Sequence, residues 1–200
     1  TVKNPDYFRD AFNAVQDLIN KGLIMAGHDI SAGGLITTLL EMTFANTEGG
    51  MDVCLDKFKT DDLVRVLFAE NPGVVVQVAD KHKKAFKELL DEAGVGYVKI
   101  GTPAEERQIM VTLGDATYQF GIDYLRDVWY ETSYLLDTKQ SLNGCAKKRY
   151  ENYKQQPLEF HIHPEFTGKF KQFGLDPDRR KPSGIKAAII REKGTNGERE

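Results

Sequence analysis

Hydrophobic residues near the N-terminus recur with the period of an α-helix. Asn4 is a favoured N-cap, and Pro5 suits the first helical position, where its missing N–H is not needed. The apolar stripe that follows ends before Gly22 and consists of Phe8, Ala11, Phe12, Val15, Leu18 and Ile19. A second helix is predicted over residues 35–44. It is apolar over a wide arc, so we expect it to be buried on most sides.

The middle of the chain alternates predicted strands with predicted helices. Apolar and polar residues alternate over 51–56, and the run 74–79 has the strongest strand character in the chain. Asp61 or Asp62 is expected to cap a short helix that ends at Phe68. The remaining predicted elements are strands at 95–100, 107–113 and 116–120 and helices at 80–93 and 122–136. This order predicts an α+β domain over residues 1–138, with a mainly antiparallel sheet and helices packed against it.

The character of the sequence changes after residue 138. Residues 139–184 are polar, contain prolines and show no sustained period, which predicts a linker. Residues 185–200 then open with an apolar run typical of the first strand of another α/β domain. Because this last domain is unfinished and the chain lacks an initiator Met, we expect the 200 residues to be a piece of a longer protein.

Composition excludes several classes of function. The chain has 27 basic and 30 acidic residues, a net charge of −3, which argues against a general nucleic-acid coat or a basic membrane-surface helix. No apolar run approaches the ~20 residues of a membrane span. The two cysteines, Cys54 and Cys145, are far apart and in no metal-ligand spacing, so we expect free thiols and a cytoplasmic location.

The segment with the most distinctive chemistry lies immediately before the second predicted helix and contains Asp29, Ser31, Gly33 and Gly34. Glycines allow a ligand to approach the backbone closely, and the first N–H groups of a helix lack intrahelical partners, so this loop suits a phosphate. Ser31 can add a hydroxyl donor. Asp29 suits a Mg²⁺ ion held between it and the phosphate, because Mg²⁺ takes one or two carboxylates together with phosphate oxygens. The alternative is that Asp29 or Ser31 only caps the helix and the glycines only pack closely.

Three other features have competing interpretations. His28 could orient Asp29, touch a ligand, or be an ordinary hydrogen-bonded structural residue. His161 and His163 have a spacing that can bind a metal, but no third ligand is obvious and a surface-lying linker is favoured. Trp129 and Tyr130 fall on an apolar helical face, which favours packing in the core or at a domain interface over stacking on a base.

The glycine loop also carries a resemblance to a known family. The run 26–35 (AGHDISAGGL), followed by 39–45 (LLEMTFA), resembles the C-terminal AIR-synthase-type domain of the phosphoribosylformylglycinamidine synthases. The run 67–73 (LFAENPG) and the strand after it resemble the family's helix–turn–strand segment. Residues 185–196 (IKAAIIREKGTN) resemble the start of the glutaminase domain that follows in the large, single-chain form. The resemblance therefore runs through the whole chain in order.

This resemblance implies a function in purine biosynthesis. The family's ligase uses ATP and glutamine to convert formylglycinamide ribonucleotide into formylglycinamidine ribonucleotide, with glutamate, ADP and phosphate as the other products. Carried over by motif position, Asp29 would be a Mg²⁺ ligand, and Ser31, Gly33 and Gly34 would contact the nucleotide, ATP or ADP. Ala32 stands where the family commonly has an acidic residue, which puts a second carboxylate in doubt.

The resemblance also implies which parts the chain lacks. The remaining nucleotide ligands would come from upstream synthetase domains of the same chain, and the catalytic cysteine from the downstream glutaminase domain. No catalytic residue is assigned within residues 1–200, so we expect this piece to be inert by itself. Two alternatives remain: a stand-alone module that binds a phosphate or nucleotide, and another ATP-dependent enzyme of the AIR-synthase superfamily.

Overall fold

A computed structural model describes residues 3–155 and 161–176. The chain divides into two compact units, residues 1–156 and residues 157–200. In the first unit the elements follow one another as α1 (Pro5–Asn20), β1 (Ala26–Ile30), α2 (Gly34–Phe44), β2 (Gly50–Cys54), α3 (Leu63–Phe68), β3 (Gly73–Gln77), α4 (Lys83–Glu92), β4 (Gly101–Ala104), β5 (Gln108–Leu113), β6 (Ala116–Gly121), α5 (Ile122–Gln140) and α6 (Cys145–Glu151).

The strands form two sheets. In the smaller one, β1 pairs antiparallel with β3, with Asp29 opposite Val74. The larger has the order β4-β2-β5-β6, in which only the β2–β5 pair is parallel among the described strands. The predicted α+β class, with a mainly antiparallel sheet and packed helices, is confirmed.

The main core lies between α2 and one face of the larger sheet. Residues of β5 alternate in burial, so Ile109 and Val111 are fully buried while Met110 and Thr112 are half-buried. Leu35 and Leu39 of α2 belong to the same buried cluster. This packing explains why the second predicted helix is apolar over a wide arc, and it fixes the position of the helix N-terminus at the end of β1.

The predicted helix starts are confirmed in two places. The Asn4 side chain accepts a hydrogen bond from the Tyr7 N–H at 3.0 Å, so Asn4 caps α1 and Pro5 occupies its first turn. Of the two candidate caps for the short helix, Asp62 is the one that accepts from the Arg65 N–H, at 2.9 Å. In both helices the side-chain oxygen satisfies an N–H that lacks an intrahelical partner.

The strand predicted over 95–100 is wrong, because pairing begins only at β4. The apolar residues of that run serve two different clusters: Val95 packs against the α1–α4 pair, and Ile100 packs against the main core. A run that connects two cores can be apolar without joining a sheet. The loop predicted before the second helix is also shorter than expected, since β1 extends to Ile30 and includes Asp29.

The C-terminal part of the chain is described only in places. Helix α6 lies inside the segment predicted as a linker, and within the second unit the rings of Phe166 and Phe173 lie 5.8 Å apart. The glutaminase-like residues 185–200 lie outside the described residues. Throughout the described part, every helix is too short or too polar to cross a membrane.

Candidate functional site

The glycine loop connects the end of β1 to the start of α2. Both glycines have left-handed backbone conformations, with φ of 83° at Gly33 and 73° at Gly34. A Cβ on Gly33 would lie 2.2 Å from Thr37 Oγ1, and one on Gly34 would lie 2.7 Å from the Leu67 carbonyl oxygen. Contacts within the protein therefore require both glycines, so the glycines by themselves do not indicate a ligand.

The helix that follows the loop has no side-chain cap. Its N-cap is Gly33, so the alternative that Asp29 or Ser31 only caps the helix is wrong. Instead, the Gly34 N–H donates to the Ser31 carbonyl at 3.1 Å, and the Gly33 N–H donates to Glu70 Oε1 at 2.9 Å. The loop is thus attached through a carboxylate to the turn between α3 and β3. The N-cap has no side chain, and the Glu70 carboxylate is the one anion that the described residues place at the positive end of the helix dipole.

Asp29 combines a fixed main chain with an exposed carboxylate. Its carbonyl oxygen accepts from Thr38 Oγ1 at 3.0 Å and lies 2.7 Å from His28 Nδ1. Its side chain is 72% exposed, with Oδ1 3.5 Å from His28 Nδ1. A carboxylate presented to solvent beside an uncapped helix N-terminus has the chemistry of a Mg²⁺ ligand, because its oxygens are hard donors and are free to join phosphate oxygens around the ion.

His28 lies between this loop and the interior of the domain. Its Nε2 lies 3.0 Å from Glu41 Oε2, on the third turn of α2. Glu41 Oε1 in turn accepts from Trp129 Nε1 at 2.8 Å, on α5. Trp129 is half-exposed, and its ring packs at a tilt against Phe44 with the ring centroids 5.2 Å apart, so its packing lies at the edge of the core.

Sequence reasoning missed Glu41, Glu70 and Thr38 as members of this site. Glu41 and Glu70 occur in the segments that carry the family resemblance, 39–45 and 67–73, but no local pattern distinguishes them from other acidic residues. Their contacts join distant parts of the chain. The one available signal was that these segments resemble the same family as the loop does.

The other candidate residues do not assemble a site. His161 and His163 are exposed, and the described residues contain no group of three or more His, Cys, Asp or Glu side chains placed to hold a metal. A metal ion at Asp29 would therefore need further oxygen ligands from a bound phosphate or water, or from another part of the protein. Cys54 and Cys145 are free thiols.

Comparison with known proteins identifies the family. The model of the family described as AIR synthase related protein, C-terminal domain, matches residues 1–114. The chain belongs to this family. The matched residues contain the glycine loop, both sheets except β6, and helices α1 to α4.

Relatives of this AIR synthase C-terminal domain extend the similarity over nearly the whole chain. The chain is 33% identical to a probable phosphoribosylformylglycinamidine synthase, chloroplastic/mitochondrial, of Arabidopsis thaliana, over 97% of this chain and 13% of the relative. It is 31% identical to the phosphoribosylformylglycinamidine synthase of Homo sapiens, over 98% of this chain and 14% of the relative. These relatives confirm the resemblance, and the chain spans only about a seventh of their length.

Solved structures show the same fold. T. maritima PurL complexed with ATP is 17% identical, with a TM-score of 0.56, over 62% of this chain and 22% of that chain. T. maritima PurL complexed with ADP is 18% identical, with a TM-score of 0.54, over the same shares of the two chains. At this level of identity the likeness establishes the AIR-synthase-type fold of the domain.

Proposed function

We propose that this chain is the part of a phosphoribosylformylglycinamidine synthase that contributes one magnesium–nucleotide loop. The protein as a whole would convert formylglycinamide ribonucleotide, glutamine and ATP into formylglycinamidine ribonucleotide, glutamate, ADP and phosphate. The similarity to two such synthases over at least 97% of the chain supports this assignment. So do the names of the solved relatives, which are PurL complexed with ATP, ADP or FGAR.

The observation that carries the proposal is the exposed carboxylate of Asp29 beside the uncapped N-terminus of α2. Asp29 would hold Mg²⁺, which neutralises phosphate oxygens when it is bound. Ser31 would donate its hydroxyl to the nucleotide. Gly33 and Gly34 would contact the nucleotide through the main chain of the loop, whose left-handed conformation at both positions suits glycine.

In this proposal the remaining parts of the reaction lie elsewhere in the protein. Upstream synthetase domains would complete the nucleotide site, and a downstream glutaminase domain would supply ammonia from glutamine. The small share of the relatives that the chain spans supports this division. We therefore expect residues 1–200 alone to be inactive. The expected cytoplasmic location stays a prediction, and the Arabidopsis relative is described as chloroplastic/mitochondrial.

The proposal is tested by Asp29→Asn in the full-length protein, with ADP binding measured as a function of Mg²⁺ concentration. Asparagine keeps the size of the side chain and removes its charge. We expect the Mg²⁺ concentration needed for half-maximal ADP binding to rise at least about tenfold, since a neutral amide is a weaker ligand for a hard cation. Asp115→Asn, in the exposed turn between β5 and β6, is the matched control and should leave this concentration unchanged.

An unchanged Mg²⁺ dependence in Asp29→Asn would contradict the assignment of Asp29 as a metal ligand. Binding of inorganic phosphate to the wild-type protein without any need for Mg²⁺ or the adenine nucleotide would favour the alternative of a simple phosphate-binding module.

A further inference from the structure

Three side chains from three elements form a continuous series of short polar contacts that ends at the main chain of Asp29, next to the glycine loop. Trp129 Nε1, on α5, donates to Glu41 Oε1 at 2.8 Å. The other oxygen of Glu41, on α2, lies 3.0 Å from His28 Nε2, on β1. The second ring nitrogen of His28 lies 2.7 Å from the main-chain oxygen of Asp29. Each contact has the length of a good hydrogen bond, and none joins residues of the same helix or strand except the last.

This series of contacts ends on the main-chain oxygen of Asp29, an atom that determines where the Asp29 side chain lies. The Asp29 carbonyl oxygen also accepts from the hydroxyl of Thr38, which is 2% exposed and whose single proton is shared with the Gly34 carbonyl. With donors from two sides, the peptide group that follows Asp29 is held in one orientation. Holding this peptide also fixes the direction of the Asp29 Cα–Cβ bond, and so the volume its carboxylate can reach.

We propose that Glu41 is a positioning residue for Asp29 and acts through His28. Glu41 holds the His28 ring so that Nδ1 faces the Asp29 carbonyl, and Trp129 holds Glu41. This inference rests on the proposed function, because it assumes that the carboxylate being positioned binds Mg²⁺ with the nucleotide. It answers the question left open for His28: the ring orients Asp29 from the protein side and is not itself assigned to the ligand.

The geometry favours positioning over a purely structural contact. Glu41 is only 25% exposed at its side chain, and a carboxylate is an expensive group to place there unless both oxygens have donors. Trp129 Nε1 donates to one oxygen, and His28 Nε2 lies 3.0 Å from the other, on a ring whose second nitrogen lies 2.7 Å from the Asp29 carbonyl oxygen. Polar groups behind a metal ligand orient that ligand, and their loss typically weakens metal binding 10–100-fold.

Two substitutions at residue 41 separate the geometry of this contact from its charge. Glu41→Ala removes both contacts and leaves His28 free to rotate. Glu41→Gln can keep both, because its amide oxygen accepts from Trp129 while its NH₂ donates to Nε2 of a neutral His28 ring that carries its proton on Nδ1. Glu88→Ala, on the exposed side of α4, is the matched control for loss of a glutamate.

The experiment measures ADP binding to the full-length protein across a Mg²⁺ titration, together with the thermal unfolding midpoint. We expect Glu41→Ala to raise the half-saturating Mg²⁺ concentration at least about tenfold. Glu41→Gln should lie close to wild type, and Glu88→Ala should match it. A structural role alone would lower the unfolding midpoint and leave the Mg²⁺ dependence unchanged, and this outcome would overturn the inference. So would a Glu41→Gln variant as defective as Glu41→Ala.

A second readout needs no ligand. Hydrogen–deuterium exchange of a peptide covering residues 27–33, with neither Mg²⁺ nor nucleotide present, should be faster in Glu41→Ala than in Glu41→Gln, since the Asp29 peptide has lost one of its anchors. Equal exchange in the two variants would overturn the inference. If Glu41→Ala does not fold, Trp129→Phe replaces it. That variant removes the indole donor but keeps an aromatic ring against Phe44, and it should shift the Mg²⁺ dependence in the same direction by a smaller factor.

The proposed function and this inference fail in different ways. If Asp29→Asn leaves the Mg²⁺ dependence unchanged, the proposed metal ligand is wrong. If Asp29→Asn shifts it while Glu41→Ala and Trp129→Phe do not, Asp29 binds the metal but Glu41 does not position it.

Discussion

At the scale of single residues, Gly34 makes the most severe steric demand at the site. Its φ of 73° is unfavourable for any other residue, and a Cβ would meet the backbone of Leu67 and Phe68 at 2.7 Å. Backbone atoms at this distance cannot move aside as a flexible side chain can. We expect Gly34→Ala to lower the free energy of unfolding by more than about 3 kcal/mol, at the severe end of single substitutions.

The matched control is Gly114→Ala in the β5–β6 turn. Gly114 has a similar φ of 58°, but a Cβ there would meet nothing within 4 Å. It should therefore show only the backbone strain, about 1–2 kcal/mol. Chemical denaturation of the two variants measures the difference. Equal destabilisation would mean that the contact with α3 is not what requires glycine at position 34.

The residues of the site differ in how far sequence could reveal them. Asp29 and Ser31 were proposed because their chemistry and their place before a helix can be read locally. Glu70 could not be found this way, since it reaches the Gly33 N–H from 37 residues away. The contact between Trp129 and Glu41 spans 88 residues. Such contacts depend on how the elements pack, which no local pattern records.

At the scale of elements, α1 and α4 form a small cluster of their own. Leu18 and Leu90 are almost fully buried in it, apart from the main core. Leu18→Ala should lower the stability of this helix pair by about 2–5 kcal/mol, since it removes buried apolar surface and leaves a cavity. Ile19→Ala, one position along the same helix, should have a much smaller effect because Ile19 is 51% exposed.

Hydrogen exchange of peptides from α1, α4 and α2 would measure this effect. The substitution at Leu18 should speed exchange in α1 and α4 more than in α2, which belongs to the other cluster. Uniform acceleration in all three helices would show that the two clusters unfold together.

Where apolar residues recur with a clear helical or strand period, the sequence predicts the right element, as in α1, α2 and β5. The strand expected over 95–100 failed because β-propensity describes a residue's fit to a half-buried surface, and that surface need not be a sheet. The strand that forms just after this run, β4, contains Gly101 and Pro103, two residue types that are depleted in strands. Gly101 is required because a Cβ would lie 2.2 Å from the Asp52 carbonyl oxygen on β2. Close approach between strands depends on tertiary packing and produces no periodic pattern in the sequence, so β4 could not be predicted from periodicity.

At the scale of the whole first unit, charged and aromatic groups fasten the segment after α5 to the α+β domain. The Arg126 guanidinium is buried against the Tyr130, Tyr150 and Tyr153 rings, with the Tyr153 ring centroid 3.9 Å away, and it donates to the Tyr150 carbonyl. Arg149 pairs with Asp137 on α5. The sequence predicts a linker here from its polar residues, its prolines and its lack of a sustained period, and none of these features records contacts made by arginine and tyrosine.

Asp123 is the acidic centre of this attachment and gives it a pH dependence. Its carboxylate accepts from Arg107 Nε at 3.1 Å, from the Tyr153 hydroxyl at 2.8 Å and from Lys154. Burial alone would raise the pKa of Asp123, but the hydrogen bonds from Lys154, Tyr153 and Arg107 outweigh it and lower the pKa below its usual range. Conversely, burial and the hydrogen bond to Asp123 raise the pKa of Tyr153 to about 12.

The lowered pKa fixes the sign of the effect. The ionised form of Asp123 stabilises the fold fully above the unfolded pKa of about 3.9, and this stability is lost as the pH falls through the lower folded pKa. Asp123→Asn should therefore reduce the thermal unfolding midpoint at pH 7. When the pH is lowered to 3, the midpoint of this variant should fall by less than that of the wild type. Asp115→Asn, which removes an exposed carboxylate, should follow the wild-type profile.

Because Asp137 also has a pKa lowered by Arg149 and Ser141, the Asp123→Asn variant should keep part of the acid sensitivity. If the unfolding midpoints of Asp123→Asn and wild type fall by equal amounts between pH 7 and pH 3, the stability of this attachment does not depend on the Asp123 charge. The contacts of Arg126 and the Arg149–Asp137 pair would then hold the segment.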